Sequence, residues 1–214
     1  LGVAASNLNE SFTVTLLIEL PSQSPINVAL TEVTGAITVA GLRGDLAVRN
    51  ANRVEVARNH GRVTVESARG LLQLEEIEGE VNLSNLHNGA ELKTIQGKVT
   101  LNGRGGSYAL DNITGALRIG LNDARLDLRG VQAPPNFPGQ EQLVTLEDIR
   151  DTRLKLEDIT GNVLIHAARS RIETDAITGD LQITTSSEPV RLNHQTGNLR
   201  VTVENGSVMV RDLK

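Results

Sequence analysis

Residues 77–101 read Ile77-Glu-Gly79-Glu-Val81-Asn-Leu83-Ser-Asn-Leu-His-Asn88-Gly-Ala90-Glu-Leu92-Lys-Thr-Ile95-Gln-Gly97-Lys-Val99-Thr-Leu101. Two and four residues after Gly79, Asn88 and Gly97 stand apolar residues with polar neighbours. An i, i+2 pair of that kind is a short strand with one buried face. The glycine before it is free to turn the chain at positive φ. Strand plus corner repeats every nine residues.

The pattern continues in both directions. One anchor series is Gly44, Gly61, Gly79, Gly97, Gly115, Gly161, Gly179 and Gly197, at steps of 17 or 18 residues with one longer gap. A second series lies half a period away: Gly35, Arg53, Gly70, Asn88, Gly106, Ala124, Thr152, Ser170, Glu188 and Gly206. With a one-residue slip allowed at Arg53, 33 of the 36 slots that follow these anchors hold Val, Leu or Ile. The exceptions are Ala90, Tyr108 and Thr174. That regularity predicts an all-β parallel β-solenoid of about 18-residue coils with two strands per coil. An antiparallel meander shares the local pattern, but the two corners differ. The first is always Gly, usually with a large aliphatic two residues earlier (Leu42, Ile77, Ile95, Ile113, Ile159, Ile177), whereas the second accepts many residue types. Nine coils spaced about 4.8 Å apart would make a rod roughly 45 Å long.

Composition fits thin, uniform layers. The 214 residues are 39% hydrophobic but only 1% aromatic, so the core must be aliphatic. A net charge of −5 lacks the basic footprint of a general nucleic-acid binder. Zero Cys excludes a disulfide scaffold, a thiolate zinc site and a Cys nucleophile. No apolar run approaches the roughly 18 residues of a membrane span, and no signal peptide is visible; Leu1 in place of Met suggests a processed or trimmed chain.

Two stretches depart from the repeat. Residues 1–31 read as an N-terminal strand and cap segment, with Phe12–Leu20 alternating, Pro21 and Pro25 around a turn, and Ile26, Val28 and Leu30 as a second strand; residues 32–214 form the repeat domain. Between Gly115 and Gly161 the interval is two coils and ten residues more, and the excess maps near 132–142 around Pro134, Pro135, Phe137 and Pro138. It is either a surface loop, with Phe137 as an exposed binding residue, or an added half-coil that exchanges the two faces beyond it. The last repeat, Gly206-Ser-Val-Met-Val210, suggests that the chain continues or that this edge meets a partner.

Candidate chemistry is sparse. His60, His87, His166 and His194 occupy different repeat positions and do not stack as ligands. The carboxylates single out no facing pair of the kind glycoside hydrolysis needs. Gly103-Arg-Gly-Gly106 occurs once without the Asp ladder of calcium-binding nonapeptides. No catalytic residue, metal or cofactor is therefore expected. One row does suggest a site: Arg125, Arg153 and Arg171 each follow a second-series anchor, with Arg104 and Arg150 nearby. Stacked coils would bring these guanidiniums together to grip an anionic polymer. The bland reading is that Asp127, Lys155 and Glu173, two residues on, pair across coils as ordinary surface ion pairs.

The run Leu20-Pro-Ser-Gln-Ser-Pro-Ile-Asn-Val28, with Val33-Thr-Gly-Ala-Ile-Thr-Val39, Ile77-Glu-Gly-Glu-Val81, Ile113-Thr-Gly-Ala-Leu117, Ile159-Thr-Gly-Asn-Val163 and Ile177-Thr-Gly-Asp-Leu181, resembles a bacterial adhesin-like family of domains of unknown function. The resemblance spans about residues 12–214. It implies a right-handed β-solenoid and an extracytoplasmic place, at the cell surface or in the periplasm, on membrane-anchored or secreted proteins. It transfers no catalytic residues. The expectation is a non-enzymatic envelope protein whose repetitive β surface contacts protein or anionic polysaccharide. An end-to-end self-assembling scaffold is the alternative, with a polysaccharide-acting enzyme third.

Overall fold

The computed structural model describes residues 25–138 and 141–214, so the expected Phe12–Leu20 strand and the Pro21 turn lie outside the described residues. The described chain is all strand and turn, wound as a β-solenoid of about ten turns. One sheet holds β1 (Val28–Thr31), β3 (Leu46–Ala51), β5 (Val63–Ala68), β7 (Val81–Leu86), β9 (Val99–Arg104), β11 (Leu117–Asn122), β13 (Gln142–Arg150), β15 (Asn162–Ala168), β17 (Leu181–Ser187) and β19 (Leu199–Asn205). The other holds β2 (Ala36–Ala40), β4 (Arg53–His60), β6 (Leu72–Glu78), β8 (Gly89–Gln96), β10 (Ser107–Thr114), β12 (Arg125–Gln132), β14 (Arg153–Thr160), β16 (Arg171–Thr178), β18 (Val190–Thr196) and β20 (Val208–Leu213). Each strand pairs in parallel with the strand two further along the chain, as in Val81↔Val99 and Leu92↔Leu110, which rules out a meander. The stack has one rung more than the nine expected coils, because Val28–Thr31 pairs with Leu46–Arg49 as the first rung of its sheet.

The interior is a column of aliphatic layers. Val63, Val81, Val99, Leu117, Val144 and Val163 face Leu72, Leu92, Leu110, Leu126, Leu154 and Ile172, all buried. No coil could repay its own ordering entropy alone; neighbours share the core. The second sheet's strands also return a large aliphatic to the interior at the strand end, Ile77, Ile95, Ile113, Ile159 and Ile177. They do so through a bend that every coil shares, so the register stays in step. Two residues before these positions the chain turns outward, and the next residue takes positive φ: Glu76, Thr94, Asn112, Asp158 and Ala176, at 53–57°. Two successive residues then face out, and the next side chain returns to the interior.

The glycine corner joins the second sheet back to the first. Gly61, Gly79, Gly97 and Gly115 stack with φ between +148° and +154°, and a Cβ on any of them would overlap the carbonyl oxygen of the glycine one coil earlier. The mixed corner is built differently. Thr152 and Ser170 point inward, buried, and their hydroxyls donate to the carbonyls of Arg150 (2.7 Å) and Ala168 (2.9 Å). The positive φ of this corner falls one residue earlier, on Asp151 and Arg169, both at 49°. One anchor moves: the Gly70 N–H donates to the Asn52 carbonyl at 2.6 Å, so Asn52, not Arg53, occupies this corner and no slip is needed.

The insertion is a loop, not a half-coil. β11 pairs with β13 and β12 with β14, so the two faces keep their identity beyond it. Two extra residues stay inside β13 as bulges: Gln142 pairs with Asn162 but Val144 with Val163, and Ile119 pairs with Leu146 but Asn122 with Arg150. Leu143 takes the place of a corner glycine, and it is against its side chain that a Cβ on Gly161 would press.

Candidate functional site

The register brings the predicted arginines together. Arg125 pairs with Arg153 and Arg153 with Arg171, so three guanidiniums project from successive coils of the second sheet, beside the mixed corner. Their partners differ. Arg125 Nε contacts its strand-mate Asp127 at 2.8 Å, which raises the guanidinium pKa further; Arg153 reaches Glu173 at 3.5 Å. Arg171 has no ion pair or side-chain hydrogen bond among the described residues. Of the expected cross-coil pairs, Glu173 makes its own, to Arg153 and, at 3.7 Å, to Arg191, whereas Asp127 and Lys155 pair within their strands, Lys155 Nζ lying 2.6 Å from Glu157. A cleft of about 360 Å³ opens beside the column, lined by Asp151, Thr152, Arg153, Arg169, Arg171 and Glu188. Arg169 grips Asp151 with Nε and Nη2, both at 2.7 Å, and holds its carboxyl below the usual range.

Phe137 does not stand free. It is half-buried and packs on the core, its N–H donating to the Pro134 carbonyl at 2.9 Å. Its ring holds the loop down.

Sequence reasoning missed a second cleft, of about 430 Å³, where the first sheet's strands reach the same corner. Its floor is Leu86, Gly103, Gly120 and Leu121, and its rim is Asn85, His87, Asn102, Arg104, Asn122 and Asp148. The ladder is irregular on both flanks: the register shifts between Leu83 and Leu86 where β7 meets β9, and between Ile119 and Asn122 where β11 meets β13. Bulges of this sort re-aim side chains beside binding sites. The signal in the sequence was the pair Gly103 and Gly120, glycines outside both anchor series. Among the described residues no three His, Asp or Glu side chains gather as a metal site.

Comparison with known proteins finds no family model that matches the chain, and no curated protein or solved structure that is significantly similar to it. The fold therefore defines the class, a parallel β-solenoid, and function must be argued from the surface.

Proposed function

We propose that this chain is a non-enzymatic, adhesin-like protein of the cell envelope, extracytoplasmic, whose stacked strands present side-chain columns to a protein or polysaccharide partner. One observation carries the reading: Arg125, Arg153 and Arg171 stand in register on successive coils, and Arg171 makes no ion pair among the described residues. A periodic row of guanidiniums suits a polymer with periodic acidic groups. The test is retention of the purified chain on acidic glycan matrices and on an envelope extract. Arg125→Glu with Arg171→Glu should weaken retention on acidic glycans; unchanged retention discards the column.

A second reading, end-to-end assembly with another copy, draws on Val208, Val210 and Leu213, which are 46%, 41% and 56% exposed at the outer edge of β20. Such an edge offers both unpaired backbone groups and apolar surface. Sedimentation over a range of concentrations separates the readings: a monomer at high concentration sinks assembly.

A further inference from the structure

We propose that the cleft rimmed by Asn85, His87, Asn102, Arg104, Asn122 and Asp148 is a saccharide subsite for a carboxylate-bearing sugar of a polyuronate-type glycan. The proposal rests on the polysaccharide branch of the reading above and gives it a ligand class.

The first argument is hydrogen-bonding capacity left over. Several neighbouring outward side chains engage one another: Arg118 with Glu147 at 2.7 Å, Arg62 with Glu80 at 3.1 Å, Gln73 with Glu91 at 3.1 Å. In the cleft, the side chains of Asn85, Asn102, Arg104, Asn122 and Asp148 have no hydrogen bond or ion pair among the described residues. Three amides, a guanidinium and a carboxylate thus point unpaired at one space, on four different coils. Amides and a carboxylate match vicinal hydroxyls, and a guanidinium matches a carboxylate through two parallel bonds.

The second argument is the shape of the floor. Leu86, Gly103 and Leu121 face the core, so the floor they form is backbone, and Gly120 in the outward column beside Asn102 adds no side chain over it, leaving a flat bed for a sugar ring. Gly120 cannot carry a side chain without displacing Asn102, whose Oδ1 lies 2.7 Å from where the Cβ would sit. The bed and the amide above it are therefore one arrangement.

The third is continuity. Asn122 pairs with Arg150, and the chain then rounds the corner to Arg153 in the arginine column. Coils recur about every 4.8 Å, close to the length of one sugar in an extended glycan. One sugar per coil would place a carboxylate in the cleft and others along Arg125, Arg153 and Arg171. Asp148 is the single carboxylate of the rim, so the cleft lacks the pair that hydrolysis needs and is a binding subsite.

The experiment titrates the purified chain calorimetrically with oligogalacturonate and oligoalginate, with their methyl esters as uncharged controls. The wild type should bind the acids, and the esters about tenfold more weakly or worse. Arg104→Gln with Asn102→Ala, both exposed positions, should lower affinity for the acids by about tenfold or more while circular dichroism stays unchanged. Binding that survives this double variant but is lost in Arg125→Glu with Arg171→Glu overturns the cleft and leaves the glycan reading standing. No binding of either acid by the wild type overturns the cleft as well, and retention on the envelope extract then decides the wider reading separately.

Discussion

The Tyr108 ring fills the space that Gly103 leaves. Gly103 sits in an inward column between Leu86 and Leu121, and a Cβ there would collide with the Tyr108 hydroxyl coming from the opposite sheet. Tyr108 is fully buried and its hydroxyl donates to the Leu86 carbonyl at 3.4 Å, while Ala90 one coil away makes room for the ring. Two of the three broken slots in the repeat are thus one compensated set.

Burial pushes the Tyr108 phenol up to about 12. The folded state therefore favours the neutral form. Stability from this group is intact below the ordinary tyrosine pKa of about 10 and falls as pH rises from there toward 12. As the single tyrosine of the chain, it can be followed by ultraviolet difference absorbance: ionisation in the ordinary range would show the ring exposed. Tyr108→Ala should cost about 3–5 kcal/mol in chemical denaturation, as other buried aromatic truncations do.

At the glycine corner, Gly97→Ala must fail on two counts, a φ of +153° and a Cβ placed on the Gly79 carbonyl. The shift needed to relieve it would break the Gly97 N–H bond to Thr114, 3.0 Å long. We expect loss of about 3 kcal/mol or more, at the upper end of single-residue effects. Gly35→Ala is the control, since nothing lies within 4 Å of its Cβ position. Equal melting temperatures for the two variants would remove the stacking account.

These features differ in how far the sequence revealed them. The i, i+2 aliphatic pairs and the Gly44–Gly197 series were legible because a buried layer and a backbone collision each admit few residue types. The positive-φ column was not. Glu76, Thr94, Asn112, Asp158 and Ala176 share a conformation but no chemistry, because the bend is imposed by the stacked coils on either side and their side chains lie on the outer face. Asn52 was misplaced to Arg53 for a related reason, that the mixed corner asks only for a small or hydrogen-bonding residue. The arginine column was readable because 18-residue spacing becomes adjacency once coils stack. Of the cleft only the off-series glycines Gly103 and Gly120 were legible, because its shape arises from register shifts at Leu86 and Asn122 that no periodic pattern announces.

Gln195 breaks the column of large aliphatics at Ile159 and Ile177. It is fully buried, with Nε2 donating to the Gly179 carbonyl at 2.8 Å and Oε1 left without a partner. Asn59 does the same near the other end, donating to the Gly61 carbonyl at 2.9 Å with its Oδ1 unpartnered. An unpaired buried acceptor costs about 1–3 kcal/mol, more than a typical hydrogen bond returns. Gln195→Ile should therefore raise the melting temperature, as the column's own choice at Ile177 does without an amide. A lower melting temperature would mean that the bond to Gly179 outweighs the orphan oxygen.

His194 links the last three rungs of the second sheet. Its Nδ1 lies 2.7 Å from Asp175 Oδ1 in β16 and its Nε2 3.4 Å from Asp212 Oδ2 in β20. The hydrogen bond to Asp175 raises its pKa most, with the charges of Asp175 and Asp212 adding to it against desolvation and the Lys214 ammonium. A histidine whose folded pKa is raised stabilises fully below its unfolded pKa of about 6.5, and loses that contribution as pH climbs through the raised value. The edge of the stack should accordingly loosen between slightly acid and slightly alkaline pH. Amide hydrogen exchange of β18 and β20 at about pH 6 and about pH 8, corrected for intrinsic rates, reads this directly. Protection should fall across that interval in the wild type and stay level in His194→Gln, where the amide keeps a donor for Asp175 but carries no titrating charge. An identical fall in the variant would assign the pH dependence to the carboxylates instead.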